Sequence, residues 1–222
     1  MKEKLIRHLE QFITERRSQL ITRVLSQRTR YITVVLEDIF QSYNASAGLR
    51  SCDGFGIQDV HIIENRNTYQ VNPDVALGSN KWLTLCKYTR EQNNTADALA
   101  GLKKRGYRIV AVSPHANGCS REEFDLHKGK TALVFGTELE GLTADAAAMA
   151  DEILTIPMVG FTESLNISVT VAIILHQLTE RLRKSELPWQ LSATENLQVK
   201  LQWLNNSISR SDTIEKSFLE NP

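Results

Sequence analysis

The first apolar positions of the chain, Leu5, Leu9, Phe12, Ile13, Leu20, Val24 and Leu25, recur at helical spacing among charged residues. That spacing gathers them on one face, so residues 2–26 read as one or two amphipathic helices. From Tyr31 the pattern changes to short runs rich in β-branched residues: ITVVLEDI, DVHIIE, RIVAVSP, TALVFG and EILTIPM. Runs of this kind suit strands buried on both faces of a parallel sheet. Between them, residues 44–53, 91–105 and 143–150 carry helical patterns, the first closed by Gly54 and Gly56 and the second by Gly106. The alternation predicts an α/β fold, a mostly parallel sheet with helices on both faces and right-handed crossovers. Ser164 to Lys184 predicts a long helix stopped near Pro188, and residues 192–206 a further amphipathic helix through Leu197, Leu201 and Leu204. The polar tail after Ser207 predicts a loose end. The expected organisation is a helical arm over 1–30, an α/β domain over 31–184 and a helical extension with tail over 185–222.

Composition narrows this only a little. The chain has 222 residues, 41% hydrophobic and 23% charged, which suits one main domain with small appendages. Its longest nearly apolar run, Ile167 to Leu175, carries Ser168 and Thr170 and is far short of the ~20 residues that span a bilayer. MKEKLIRHLEQ has no apolar core of the secretory kind, so a cytoplasmic location is expected. Cys52, Cys86 and Cys119 are odd in number, lie 34 and 33 residues apart, and read as reduced thiols. The five histidines never fall at ligand spacing to each other or to a cysteine, so no metal is expected.

Charge changes the picture through its distribution. Lys+Arg and Asp+Glu balance at 26 each, which argues against a protein that holds nucleic acid by bulk charge. Residues 1–30 nevertheless hold eight Lys and Arg against three Glu, while residues 131–180 contain no Lys or Arg at all. From charge alone a solvated helix face is the plainer explanation of the arm, with a polyanion site as its rival. Arg28 and Arg30 are the candidates for phosphate contact, since they precede the first strand.

Chemistry concentrates in three segments. G-x-G-x-x-G after a strand, G-x-x-x-x-G-K-[ST] and G-x-S-x-G are all missing, which removes the dinucleotide, P-loop and hydrolase readings. Residues 34–65 read strand, turn, helix, glycine stop, strand, with Asn44 as a natural N-cap and Arg50 six residues on. Residues 133–143, LVFGTELEGLT, end a strand in Gly136 and place Glu138 and Gly141 in the following loop, where backbone can approach a ligand at a strand's carboxyl end. Residues 156–178 run from a strand through Pro157 and a glycine loop into Ser164, Leu165 and Asn166, which open an apolar helix. A helix start is a ready anion site. Taken singly, each segment has a plain structural reading as caps, a tight turn and a surface charge.

In this order and spacing the three segments resemble the SpoU branch of the SPOUT methyltransferase superfamily. The likeness rests on Asn44 with Arg50, on Gly136, Glu138 and Gly141, and on Pro157-Met158 followed by Ser164-Leu165-Asn166-x-Ser168, and it covers about residues 17–184. ALGSNKW at 76–82 and the Arg28-Thr29-Arg30 approach to the first strand look most like the tRNA guanosine-2'-O-methyltransferases that act on the D-loop.

The resemblance implies a deep C-terminal trefoil knot, an S-adenosylmethionine pocket lined by Val112, Gly136, Ile156 and Leu165, a tRNA substrate, and a homodimer with the site near its interface. It assigns catalysis to Arg50 with Asn44, Glu138, Ser164 and Asn166. A free guanidinium is a poor base, so Arg50 would act mainly by fixing a phosphate and stabilising a developing alkoxide. Two rivals stay open: a 2'-O-methyltransferase of ribosomal RNA or another tRNA position, and a catalytically silent RNA-binding module of the same fold.

Overall fold

Strand β1 (Ile32–Glu37) is buried at all six positions, and its side chains alternate between two cores. Ile32, Val34 and Leu36 join one apolar cluster, while Val35 joins another on the opposite face. The same alternation holds in β6 (Thr131–Phe135), where Leu133 and Phe135 face one way and Ala132 and Val134 the other. A strand covered on both sides needs apolar residues at successive positions, which is why these runs carry little polar alternation.

The computed structural model describes residues 1–90, 93–114, 118–137 and 140–220. The sheet is seven-stranded and parallel throughout, in the order β3-β2-β1-β6-β4-β7-β5. The remaining strands are β2 (Asp59–Ile63), β3 (Thr84–Tyr88), β4 (Arg108–Val112), β5 (Cys119–Ser120) and β7 (Glu152–Thr155). Helices α3 (Ser42–Gly54) and α7 (Ile167–Arg183) cover one face, packed on each other through Ala45 and Leu49 and through Val171, Ile174, Leu175 and Leu178. Between α3 and β3 runs α4 (Pro73–Ala76). On the other face lie α5 (Asn94–Lys104) and α6 (Ala144–Met149), packed through Ala98, Leu99, Leu102 and Ala146.

The edge strands β3 and β5 depart from the expected pattern. Both are half-exposed, so TLCKY and CS carry polar residues and lack a buried run's signature. Helix α7 starts at Ile167 rather than 164, because Asn166 turns its side-chain oxygen onto the Ser168 amide and caps the helix from outside. Asn44 is not a cap. It is the third residue of α3, whose N-cap position is Gln41.

The chain forms two compact units, Arg30–Trp189 and a second built from Met1–Thr29 with Gln190–Pro222. The second unit contains α1 (Lys2–Glu10), α2 (Glu15–Leu25), α8 (Ala193–Ser207) and α9 (Ser211–Glu220). Leu5, Leu9, Ile21, Leu25, Val199, Trp203 and Leu204 are buried there. A capping box of Ser192 and Glu195 starts α8, and Lys200 pairs with Glu10 at 2.8 Å. The tail expected to be loose is α9, an ordered helix with Phe218 stacked on His8 of α1 at 5.0 Å.

Candidate active site

The loops that leave the carboxyl ends of β4, β6 and β7 enclose one cavity of about 360 Å³. Val112, Gly136, Ile156 and Leu165, the four residues expected at the cofactor, all line it, together with Ser164. Phe135, Leu142, Ile153, Met158 and Ile167 add to its apolar wall. This volume and lining are those of small-ligand sites, which are concave, mostly apolar and few in polar groups.

The loop after β6 explains its two glycines. Gly141 holds φ +71°, and Thr137 and Gly141 exchange two backbone hydrogen bonds, 2.9 Å and 3.1 Å, across the turn. A Cβ on Gly136 would stand 2.2 Å from the Gly141 carbonyl oxygen, so no other residue fits without opening the turn. Glu138, expected to orient donors here, lies outside the described residues. Glu140 is described and lines the cavity.

Asn44 and Asn166 come from segments 122 residues apart and meet directly. The Asn166 side-chain amide donates to Asn44 Oδ1 at 3.0 Å, and Asn44 Nδ2 donates to Gln41 Oε1 at 3.2 Å. Asn166 Oδ1 also accepts from the Ser168 hydroxyl at 2.6 Å. The first and third motifs are therefore joined side chain to side chain, next to the loop that carries Ser164 and Leu165 into the cavity. Arg50 is exposed on α3. Six residues from Asn44 it lies about 240° around the helix, so it leaves α3 in a different direction from the asparagine pair.

Two buried carboxylates at the end of β1 hold the surrounding loops. Glu37 accepts from the Thr95 hydroxyl at 2.6 Å, and from the Thr143 amide and hydroxyl at 3.0 Å and 2.7 Å, tying the starts of α5 and α6 to the sheet. Asp38 has a left-handed backbone, φ 55°, and its Oδ1 accepts the amides of Asn65, Arg66 and Asn67 at 3.1, 2.8 and 2.8 Å. Burial alone would raise the Asp38 carboxyl. The Asn67 and Arg66 amides, the Arg66 side chain and the Asn65 amide outweigh it and hold the group below its ordinary value. Arg66 Nε donates to Asp38 Oδ2 at 3.1 Å, and its Nη2 reaches Glu140 Oε2 at 2.5 Å. Sequence reasoning missed Gln41, Asp38, Arg66 and Glu140 in this arrangement. Asp is among the few residues that tolerate a left-handed backbone, the one local hint at position 38.

The phosphate-contact candidates are corrected by their surroundings. Arg28 is buried, 1% exposed, with its guanidinium 5.0 Å from the centre of the Trp203 ring. Arg30 pairs with Asp59 at 2.9 Å. Both cations are committed to internal contacts, and the exposed charge of the arm sits instead on residues such as Arg16 and Arg23. At Cys119, burial and then the neighbouring Glu152 carboxylate push the thiol up to about 11, which disfavours the thiolate. Among the described residues, no three His, Cys, Asp or Glu side chains are grouped to hold a metal ion, and no helix is long and apolar enough to cross a membrane.

Fold and cavity together are those of an α/β protein that takes its ligand at the carboxyl ends of parallel strands. Residues 31–176 match the SpoU rRNA Methylase family, and the chain belongs to that family. It is 44% identical over 207 residues, 93% of each chain, to a tRNA (guanosine(18)-2'-O)-methyltransferase of Borreliella burgdorferi. To the Thermus thermophilus enzyme of the same name it is 34% identical over 174 residues, 78% of this chain and 87% of the other. Among solved structures, the A. aeolicus TrmH/SpoU tRNA modifying enzyme superposes with a TM-score of 0.77 at 28% identity, covering 88% of this chain and 98% of that one.

Proposed function

We propose that the protein transfers a methyl group from S-adenosylmethionine to the ribose 2'-oxygen of guanosine 18 in the D-loop of tRNA. The carrying observation is the convergence of the three motifs: the second lines the cavity, the third reaches it through Ser164 and Leu165, and Asn166 binds Asn44 of the first. The 44% identity to a tRNA (guanosine(18)-2'-O)-methyltransferase supports the same substrate.

The cavity suits the donor by its chemistry. Its apolar wall at Val112, Ile156, Leu165 and Leu142 fits a flat heterocycle, and the turn at Gly136 presents main-chain groups without a side chain in the way. S-adenosylmethionine supplies an electrophilic methyl on a sulfonium. Arg50, exposed on α3, supplies a planar fork that grips a substrate phosphate and stabilises negative charge as the 2'-hydroxyl loses its proton. Asn44 and Asn166 fix each other and hold the start of α7, and Ser164 offers a hydroxyl at the cavity wall.

The proposal includes a cytoplasmic homodimer with a knotted C-terminal region. Val159 and Phe161, in the loop before α7, are fully exposed, and Val169 on α7 is 44% exposed, an apolar surface that a second copy would cover. Arg50 leaves α3 away from its own asparagine pair, as expected of a residue that serves a site shared between copies. The loops after β4, β6 and β7, all bordering one cavity, are the ones the knot would thread. RNA would be held by the terminal unit, which carries ten Lys and Arg against seven Asp and Glu.

The test is ribose-methylation mapping on unmodified tRNA incubated with protein and donor, beside a ribosomal RNA control. Methylation at guanosine 18 is expected. Methylation of the ribosomal RNA alone would move the protein to the family's other substrate class, and donor binding without transfer to either RNA would favour a silent module.

A further inference from the structure

Three features meet at Arg66. Asp38 is 1% exposed and stands between β1 and the residues that lead into the Asn44 helix. Its carboxylate collects three amides of residues 65–67 and the Arg66 Nε, while Asn67 Nδ2 donates to the Asp38 carbonyl at 2.8 Å. The guanidinium then extends to Glu140, 2.5 Å away, in the loop that forms the cavity wall after β6.

An exposed ion pair by itself contributes little, because two long side chains must be frozen to make it. Here one of them is frozen already. Asp38 fixes the Arg66 backbone and its Nε, so Glu140 meets a cation held in place rather than a free one. The Glu140 amide is also tied, donating to Thr137 Oγ1 at 3.1 Å, and the turn is closed at Thr137 and Gly141. The turn's geometry at Gly136 and Gly141 therefore continues through Glu140 and Arg66 to the end of β1.

We propose that Arg66 is a positioning residue for the methyl-donor cavity: anchored on Asp38, it straps Glu140 and so holds the wall loop after β6 in its donor-receiving form. This rests on the reading of the cavity as the donor site. Arg66 acts through Glu140 and touches no reacting atom. Because two of its nitrogens are committed to carboxylates, its first effect falls on the donor and not on RNA phosphate.

The experiment is a double-mutant cycle on the full-length protein, with S-adenosylmethionine affinity read by calorimetry for wild type, Arg66→Ala, Glu140→Gln and the double variant. Steady-state constants for tRNA are measured alongside. Arg66→Ala is expected to weaken donor binding about fivefold, the scale of one well-fixed ion pair. The tRNA KM, and kcat at saturating donor, should stay within about twofold of wild type by the same scale. In the Glu140→Gln background the same change should have no further effect, a non-additivity that general loosening of the fold would not produce. Arg66→Gln, whose amide nitrogen can stand where Nε meets Asp38 but which stops short of Glu140, replaces the Ala variant if that one does not fold. The proposal is overturned by wild-type or tighter donor affinity in Arg66→Ala, by additive losses in the cycle, or by a loss confined to the tRNA KM. Wild-type protein that binds no donor would instead overturn the reading of the cavity itself.

Discussion

The two halves of the sheet are built for different tasks. On the side of β6, β4 and β7, strand ends open into loops with glycines and apolar side chains, and the space between them is a cavity. On the side of β1, β2 and β3, the same fold buries Glu37, Asp38, Asp59 and His61, and gives each of them a partner inside the protein. One half leaves room and main-chain groups for something from outside; in the other, these four ionisable groups are partnered within the protein. Substitutions on the cavity side should therefore alter binding, and those on the β1–β3 side should alter stability or positioning. Arg50 is the telling exception, an exposed cation carried on the helix that follows β1.

The largest effect should come from that exception. Arg50→Ala is expected to lower methyl transfer by about 10³-fold, the scale of removing one preorganised charge-stabilising donor, with donor affinity unchanged by calorimetry. Arg50→Lys should recover little, since it lacks the fork. If donor affinity falls as well, Arg50 belongs with the cavity and the division between the halves is wrong.

A slightly smaller effect is expected from acid. Burial, and next the nearby positive charge of Arg105, push His61 down from 6.5 to about 4 in the folded protein. The unfolded chain thus binds the proton more readily between those values, so stability is complete above about pH 6.5 and is lost as pH falls toward 4. The loss should reach about 3 kcal/mol by linkage. Melting temperatures across that window would show it, and His61→Gln should flatten the slope; an equally steep slope in the variant would remove His61 as the cause.

On the cavity side, Gly136→Ala should cost about 2 kcal/mol of strain where its Cβ meets Gly141, and so weaken the donor between ten- and a hundredfold. Calorimetry decides, and a fall in melting temperature with donor affinity intact would mean that the turn is only structural. Asn166→Ala should have the smallest effect of the four, about 1 kcal/mol of stability for a lost helix cap and a slowing of transfer near tenfold. Unchanged stability would show that Asn166 serves the site alone.

What the sequence disclosed follows the same division. The β-branched runs of β1, β2, β4 and β6 announce themselves because burial on two faces leaves little room for polar residues. The edge strands β3 and β5 do not, since Lys87 and Ser120 face water or half-water. Gly136 and the Ser164–Leu165 turn, which line the cavity, stood out through family resemblance and not through periodicity. Asn44 was misread as a cap because a capping residue and a buried asparagine look alike in sequence; only the partner, Asn166, distinguishes them. Arg28 shows the limit of counting charge, for no tally reveals that a guanidinium lies over Trp203. Helix α9 has few apolar positions and depends on α1 for its packing, a tertiary contact that local pattern cannot supply.

The strand order also carries a consequence for how the chain is made. β1, β2 and β3 are neighbours in sequence and in the sheet, so they can pair as soon as residue 88 has emerged from the ribosome. The other edge of β1 must wait for β6, which begins at Thr131, while β4 appears earlier and has no place to dock until β6 arrives. During synthesis of roughly 40 residues, several seconds at ordinary elongation rates, the apolar edge ITVVLE stands unpaired. An open, flat, hydrophobic edge is the form of β-structure most prone to pairing with another chain. Truncated or stalled products ending between residues 88 and 131 should accordingly be the species of this protein that aggregate.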